Sequence, residues 1–156
     1  MFRAPLTLFR TLAFAEAVSW TLLIAGLIVR ATTGWAPAVT IGGGIHGFVF
    51  LSYGATVVLV ALNNRWRVGP TAAALVSAIV PYATVPAEIW LHRRGLLDGQ
   101  WRTESSATLD AERRWYDAPL AWFLRRPWVL VGGILVLVAA LFAALLLIGP
   151  PGGTKA

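Results

Sequence analysis

The chain is expected to fold as an all-α, polytopic transmembrane helical bundle. Three observations predict this. Residues 128–148 carry no charged side chain, and only the Trp128 indole can hydrogen-bond. About 20 apolar residues at about 1.5 Å rise match a bilayer core of about 30 Å. Three comparable apolar blocks precede that one. Of the 156 residues, 58% are hydrophobic and only 13% charged, with a mean hydropathy of +0.70. That charge density is too low to cover a water-soluble domain.

The spans follow in order. Span one covers residues 8–29, span two 41–62, span three 71–91 and span four 128–148. Span one follows Arg3 and Arg10 and could pass for a signal peptide. It carries Glu16, runs longer than an ordinary signal core and lacks a small-x-small cleavage site, so a retained span is expected. Residues 30–40 make a short loop with Gly34 and Pro37, and residues 63–70 make a tight turn. Short loops force antiparallel neighbours, so residues 1–94 are read as a compact three-span domain. Residues 95–127 form an arginine-rich connection. Leu109, Tyr116, Leu120 and Phe123 fall near one helical face there, with Trp115 and Trp122 beside it. That pattern suggests an amphipathic helix on the headgroups. Span four then adds a C-terminal helix, and residues 149–156 are expected to be a disordered tail. Seven of the eight tryptophans lie at span ends or in connections, where the indole N–H stays wet. Trp20 alone lies deep in a span.

The net charge of +6 comes from twelve arginines and one lysine against seven acids. The arginines flank the apolar blocks. The expected partners are the bilayer and its anionic headgroups, not nucleic acid. With no cysteine, disulfides and thiolate metal sites are excluded. Four spans would put both termini on one side. Counting arginines then favours the long connection inside, whereas the flanks of span one favour the N-terminus inside. Both orientations stay open at this level.

Ionisable residues inside spans mark functional candidates. These are Glu16, His46 and Glu88. Spans one and three run the same way and span two runs back, so Glu88 and His46 lie toward the face that also holds Arg30 and His92. Glu16 lies deeper, nearer the level of Tyr53. His46, Phe50 and Tyr53 stack at i, i+4, i+7. Glu16 and Ser19 share a face at i, i+3. The candidate polar centre is therefore Glu16, Ser19, Arg30, His46, Tyr53 and Glu88. Gly43, Gly47 and Gly54 form a column suited to close helix approach, with Gly26, Gly132 or Gly133 opposite. Pro81 and Pro86 interrupt the backbone ladder of span three. Two histidines without a carboxylate cluster make a poor metal site. No catalytic motif, metal or cofactor is expected.

Several of these residues carry a family resemblance. Phe9-Arg10, Ala13, Glu16-Ala17 and Ser19 come first. Arg30, Gly34 and Pro37 follow, then Gly44-Ile45-His46-Gly47, Phe50 and Tyr53, and last Pro81-Tyr82-Ala83-Thr84 and Glu88. Over about residues 8–94 the chain resembles a family of short bacterial integral membrane proteins with a His-Gly motif, a domain of unknown function. That family has Lys-Tyr at Arg30-Ala31, usually Phe-Gly-Thr at Tyr82-Ala83-Thr84, and usually aspartate at Glu88. The resemblance implies a three-span domain with Glu16, His46 and Glu88 as its polar centre, but no reaction. The expected protein is a multi-pass component of the bacterial inner membrane and not an enzyme. An accessory or scaffold role leads, with homo-oligomers or a membrane-protein partner. One alternative is a small proton-linked carrier working as an oligomer, with Glu88 and Arg30 as an outer gate. Another is a cofactor-binding module using His46.

Overall fold

A computed structural model describes residues 4–102 and 114–148, and every described element is helical. The order is α1 (Pro5–Thr33), α2 (Pro37–Asn63), α3 (Val68–Ser77), α4 (Thr84–Arg93), α5 (Asp117–Arg125) and α6 (Pro127–Ile148). Proline opens α1, α2 and α6, where its missing N–H is one the first turn cannot use anyway. Gly34 closes α1 at φ 73°, with its N–H on the Arg30 carbonyl at 2.9 Å. That left-handed cap is easy only for glycine. Three helices, α1, α2 and α6, are long and apolar enough to cross a membrane.

α1 and α2 form a long antiparallel pair. Call the end with Pro5 and Asn63 the near end, and the end with the 34–36 loop the far end. The closest approach is glycine-mediated. A Cβ on Gly26 would lie 2.6 Å from the Ala38 carbonyl oxygen, and one on Gly42 would lie 2.7 Å from that of Leu22. Only a bare Cα fits at either place. The apolar core sits at the near end, where Phe9, Tyr53, Val57, Val60, Trp66, Leu91 and Leu97 are buried together.

The third span differs from the sequence expectation. It is two short helices, α3 and α4, joined by the turn at 78–83. Each has ten residues, or about 15 Å, half a bilayer core. Contacts with α1 fix their course. Trp66, just before α3, packs against Phe9 with ring centroids 6.0 Å apart. Ala78, just after α3, accepts a hydrogen bond from Trp20 Nε1 at 3.3 Å. The chain has thus moved from the level of Phe9 to that of Trp20. α4 then retraces it. Thr84 donates to the Ala13 carbonyl at 2.9 Å, and Glu88 pairs with Arg10 at 2.9 Å. Leu96 finally accepts a bond from Trp66 Nε1 at 2.7 Å, back at the near end. α3 and α4 are a re-entrant hairpin.

The cause is local. Pro81 cannot donate to the Ser77 carbonyl, and it disfavours helical geometry at Val80. Tyr82 takes φ 64° and reverses the chain. Pro86 falls in the first turn of α4, where it is tolerated.

The segment after α4 is tied to the near end. Asn64 donates to the Leu96 and Asp98 carbonyls at 2.7 and 3.2 Å, and the Arg102 N–H donates to Asn63 Oδ1 at 3.0 Å. Within the arginine-rich connection the described helix is α5. Its Asp117 pairs with Arg65 at 3.1 Å, again at the near end. Leu109 and the tail at 149–156 lie outside the described residues. α6 returns toward the far end, where the Phe142 ring lies over Gly47. With α3 and α4 turning back, the start of α1 and the end of α6 lie at opposite ends of the bundle. This replaces the arrangement that four full spans would give.

Candidate functional site

α1 presents one buried seam, made by Pro5, Phe9, Ala13, Glu16, Ser19 and Gly26. These positions recur every three to four residues, so they lie along one face. Glu16 is fully buried in that seam and Ser19 nearly so. Across the seam, His46 comes in from the first half of α2. The Ser19 hydroxyl lies 2.7 Å from Glu16 Oε2, 2.8 Å from the Glu16 carbonyl oxygen and 2.9 Å from His46 Nδ1. Glu16 Oε2 and His46 Nδ1 are themselves 3.4 Å apart. The Trp20 ring covers the imidazole at 4.3 Å between centroids, and Phe50 flanks it at 6.2 Å. Glu16 Oε1 is buried and has no hydrogen-bond partner among the described residues.

Ser19 has one hydroxyl hydrogen and three acceptors within reach, namely Glu16 Oε2, the Glu16 carbonyl oxygen and His46 Nδ1. A hydrogen on Glu16 Oε2 or on His46 Nδ1 can in turn bond to the Ser19 oxygen, so the cluster has room for a proton on either partner.

The remaining sequence candidates divide. Tyr53 is buried but does not meet Glu16. Its hydroxyl faces α3, 3.2 Å from the Ala74 carbonyl oxygen and 3.2 Å from Ser77 Oγ. His46, not Tyr53, is the partner of Glu16, contrary to the depth argument. Glu88 is 2% exposed and pairs with Arg10, whereas Arg30 stands at the far end of α1. The Glu88–Arg30 gate is therefore ruled out. It assumed a straight third span, and the hairpin carries Glu88 back to the near end. His92 also lies at the near end, with Nδ1 3.6 Å from Asp98. Among the glycines, a Cβ on Gly47 would lie 3.0 Å from the Phe142 ring, and one on Gly43 would be in ordinary contact with Leu23 at 3.8 Å. Gly54 has open space, as do Gly132 and Gly133. The tight position that sequence reading missed on α2 is Gly42. Arg10, Trp20 and Thr84 were missed as site neighbours. Trp20 was the one tryptophan placed away from an interface, and that was the signal for it.

A bundle with three helices long and apolar enough to cross a membrane, carrying a carboxyl–hydroxyl–imidazole cluster between the first two, has the architecture of a helical integral membrane protein. Residues 6–93 match the family model described as a domain of unknown function (DUF3817), and the chain belongs to that family. The match covers the stretch on which the His-Gly resemblance rests. A Streptomyces coelicolor protein named as a membrane protein is 37% identical over 95 residues, covering 57% of this chain and 11% of the relative. The uncharacterized membrane protein YdzA of Bacillus subtilis is 32% identical over 99 residues, covering 62% of this chain and 96% of the relative. The chain thus spans about a tenth of the first relative and nearly all of the second. No solved structure matches.

Proposed function

We propose that the protein is a proton-linked component of the bacterial inner membrane, with Glu16, Ser19 and His46 storing and passing a proton at the α1–α2 seam. The observation that carries this reading is the Ser19 hydroxyl, 2.7 Å from Glu16 and 2.9 Å from His46. A carboxyl closed away from water is costly unless it is neutral or fully hydrogen-bonded. Glu16 Oε1 is buried without a hydrogen-bond partner among the described residues, so the carboxyl is not fully satisfied by the protein side chains around it.

Among the described residues, a single copy offers the proton no polar route through the bundle. The near end is plugged by Phe9, Val57, Leu91 and Leu97, and the far end by the Gly26 and Gly42 contacts. His46, with 13% of its side chain exposed, is the open edge of the cluster. Exchange therefore runs through His46, and passage across the bilayer needs a second copy or a partner against that side. This favours an oligomer or a subunit over a lone carrier.

The test is infrared difference titration of the protein in nanodiscs, followed by proton uptake in liposomes holding a pH-sensitive dye. The expected result is a carboxyl band that titrates in the native chain and is lost in Glu16→Gln, with uptake lost as well. A native chain without a titrating carboxyl band, or equal uptake in both proteins, overturns the reading.

A second reading, an accessory module without proton chemistry, is favoured by the Streptomyces relative. There the matched region is a small part of a longer membrane protein. On that reading Glu16→Gln changes stability alone.

A further inference from the structure

The hairpin gathers charge at one end of the molecule. Because α3 and α4 return to the near end, residues 65–67, 93–102 and 114–126 all lie there with Arg10. Among the described residues, nine of ten arginines are at the near end, against three carboxylates, Glu88, Asp98 and Asp117. Two of those carboxylates are already held by Arg10 and Arg65. The far end has Arg30 and no acid among the described residues.

Four exposed arginines at the near end, Arg67, Arg93, Arg94 and Arg126, carry the argument. Two lie over indole rings. The Arg94 guanidinium is 4.6 Å from the Trp90 ring centre, and that of Arg126 is 4.4 Å from Trp122. A guanidinium over a ring face engages the ring through its charge and keeps N–H groups for other acceptors, and both arginines are exposed. Indoles prefer the headgroup level of a bilayer, so the stacked guanidiniums sit at the depth of lipid phosphates. Arginine forks match phosphate oxygens in pairs.

We infer that the near end of the bundle is a binding face for anionic phospholipid, seated in the cytoplasmic leaflet, with Arg67, Arg93, Arg94 and Arg126 on the lipid phosphates. The positive-inside rule sets the leaflet. The two arginine counts that pointed in opposite directions for four full spans now agree, because Arg10 and the described arginines of the long connection share one end. The inference does not use the Glu16 cluster.

The test uses the full chain in nanodiscs of phosphatidylcholine with a minor fraction of phosphatidylglycerol. Quenching of tryptophan by brominated phosphatidylglycerol is compared with quenching by brominated phosphatidylcholine. The expected result is several-fold enrichment of the anionic lipid around the native protein. Each arginine removed should lower the preference by about fivefold at most, the equivalent of about 1 kcal/mol per basic group. The variant Arg67→Gln/Arg93→Gln/Arg94→Gln/Arg126→Gln should show none. No preference in the native chain, or full preference in a folded quadruple variant, overturns the proposal.

Orientation is read separately on near-native chains. The protein has no cysteine, so Ala31→Cys and Gln100→Cys each provide a single thiol. An impermeant maleimide should label Ala31→Cys in intact cells, and Gln100→Cys only after the inner membrane is opened. The reverse pattern removes the cytoplasmic assignment and the proposal with it.

Discussion

Thr84 donates its hydroxyl hydrogen to the Ala13 carbonyl at 2.9 Å, joining the first residue of α4 to the middle of α1 across 71 positions of sequence. The bond is fully buried at Thr84. It fixes the depth at which the hairpin turns back, because the next turn of α4 then brings Glu88 to Arg10.

Thr84→Val keeps the shape of the side chain and removes the donor. The Ala13 carbonyl keeps its own helical bond, so no acceptor is orphaned. The expected loss is about 1 kcal/mol, the ordinary net worth of one hydrogen bond. Thermal unfolding in a mild detergent should show it as a lowered Tm, with the helical content of the folded protein unchanged.

Arg10→Gln should cost more. Glu88 is 2% exposed, while the Arg10 side chain is 45% exposed. Loss of the arginine leaves a buried carboxylate without its counter-charge, which we expect to destabilise by about 1–3 kcal/mol, below the range for pairs buried on both sides. Adding Glu88→Gln should recover most of that loss. A double-mutant cycle on denaturant midpoints checks it, and additive losses would show that the two side chains do not interact.

The glycines separate by position. Gly26→Ala and Gly42→Ala would each drive a Cβ into a backbone carbonyl, at 2.6 and 2.7 Å. Backbone cannot step aside as a side chain can, so α1 and α2 must part, at an expected cost of about 1–3 kcal/mol. Gly54→Ala meets nothing within 4 Å and should be neutral or stabilise by up to about 1 kcal/mol through helix propensity. Melting temperatures of the three variants in one detergent decide the point. A destabilised Gly54→Ala would mean that a second copy covers that face.

The route of the chain is also open to test. A reporter fused after Ile148 and one fused before Pro5 should report opposite sides of the membrane, because α1, α2 and α6 are the three crossings. Reporters on the same side would mean that α3 and α4 together span the bilayer.

Much of this was legible in the sequence. The blocks at 8–29, 41–62 and 128–148 became α1, α2 and α6 because length and apolar content fix a membrane helix almost alone. Glu16, Ser19 and His46 stood out for the same reason, as costly groups in an apolar run. The third block misled because a largely apolar block of 21 residues fits one crossing as well as two half-crossings. The proline signals at Pro81 and Pro86 were visible, but they mark a break without giving its angle. The reversal depends on Tyr82 in a left-handed conformation, which nothing in a tyrosine announces. With the block drawn straight, the depths are right through α3 and inverted after the turn at 78–83. That is how Glu88 was assigned to Arg30 and not to Arg10. The glycine column failed more mildly. Gly42 and Gly43 are neighbours in sequence, and a rotation of one residue decides which of them meets α1.

The half-depth hairpin also gives the molecule a shape. At the near end five helical segments cross any plane drawn through the bundle, namely α1, α2, α3, α4 and α6. At the far end only three do. The protein therefore takes up more area in one leaflet than in the other, and lipid tails must fill the space beneath the turn at 78–83. Such a cone relaxes where the wider leaflet is stretched, so the chain should gather in membranes of one sign of curvature. Sorting between narrow tethers and the flat parent vesicle would measure that preference.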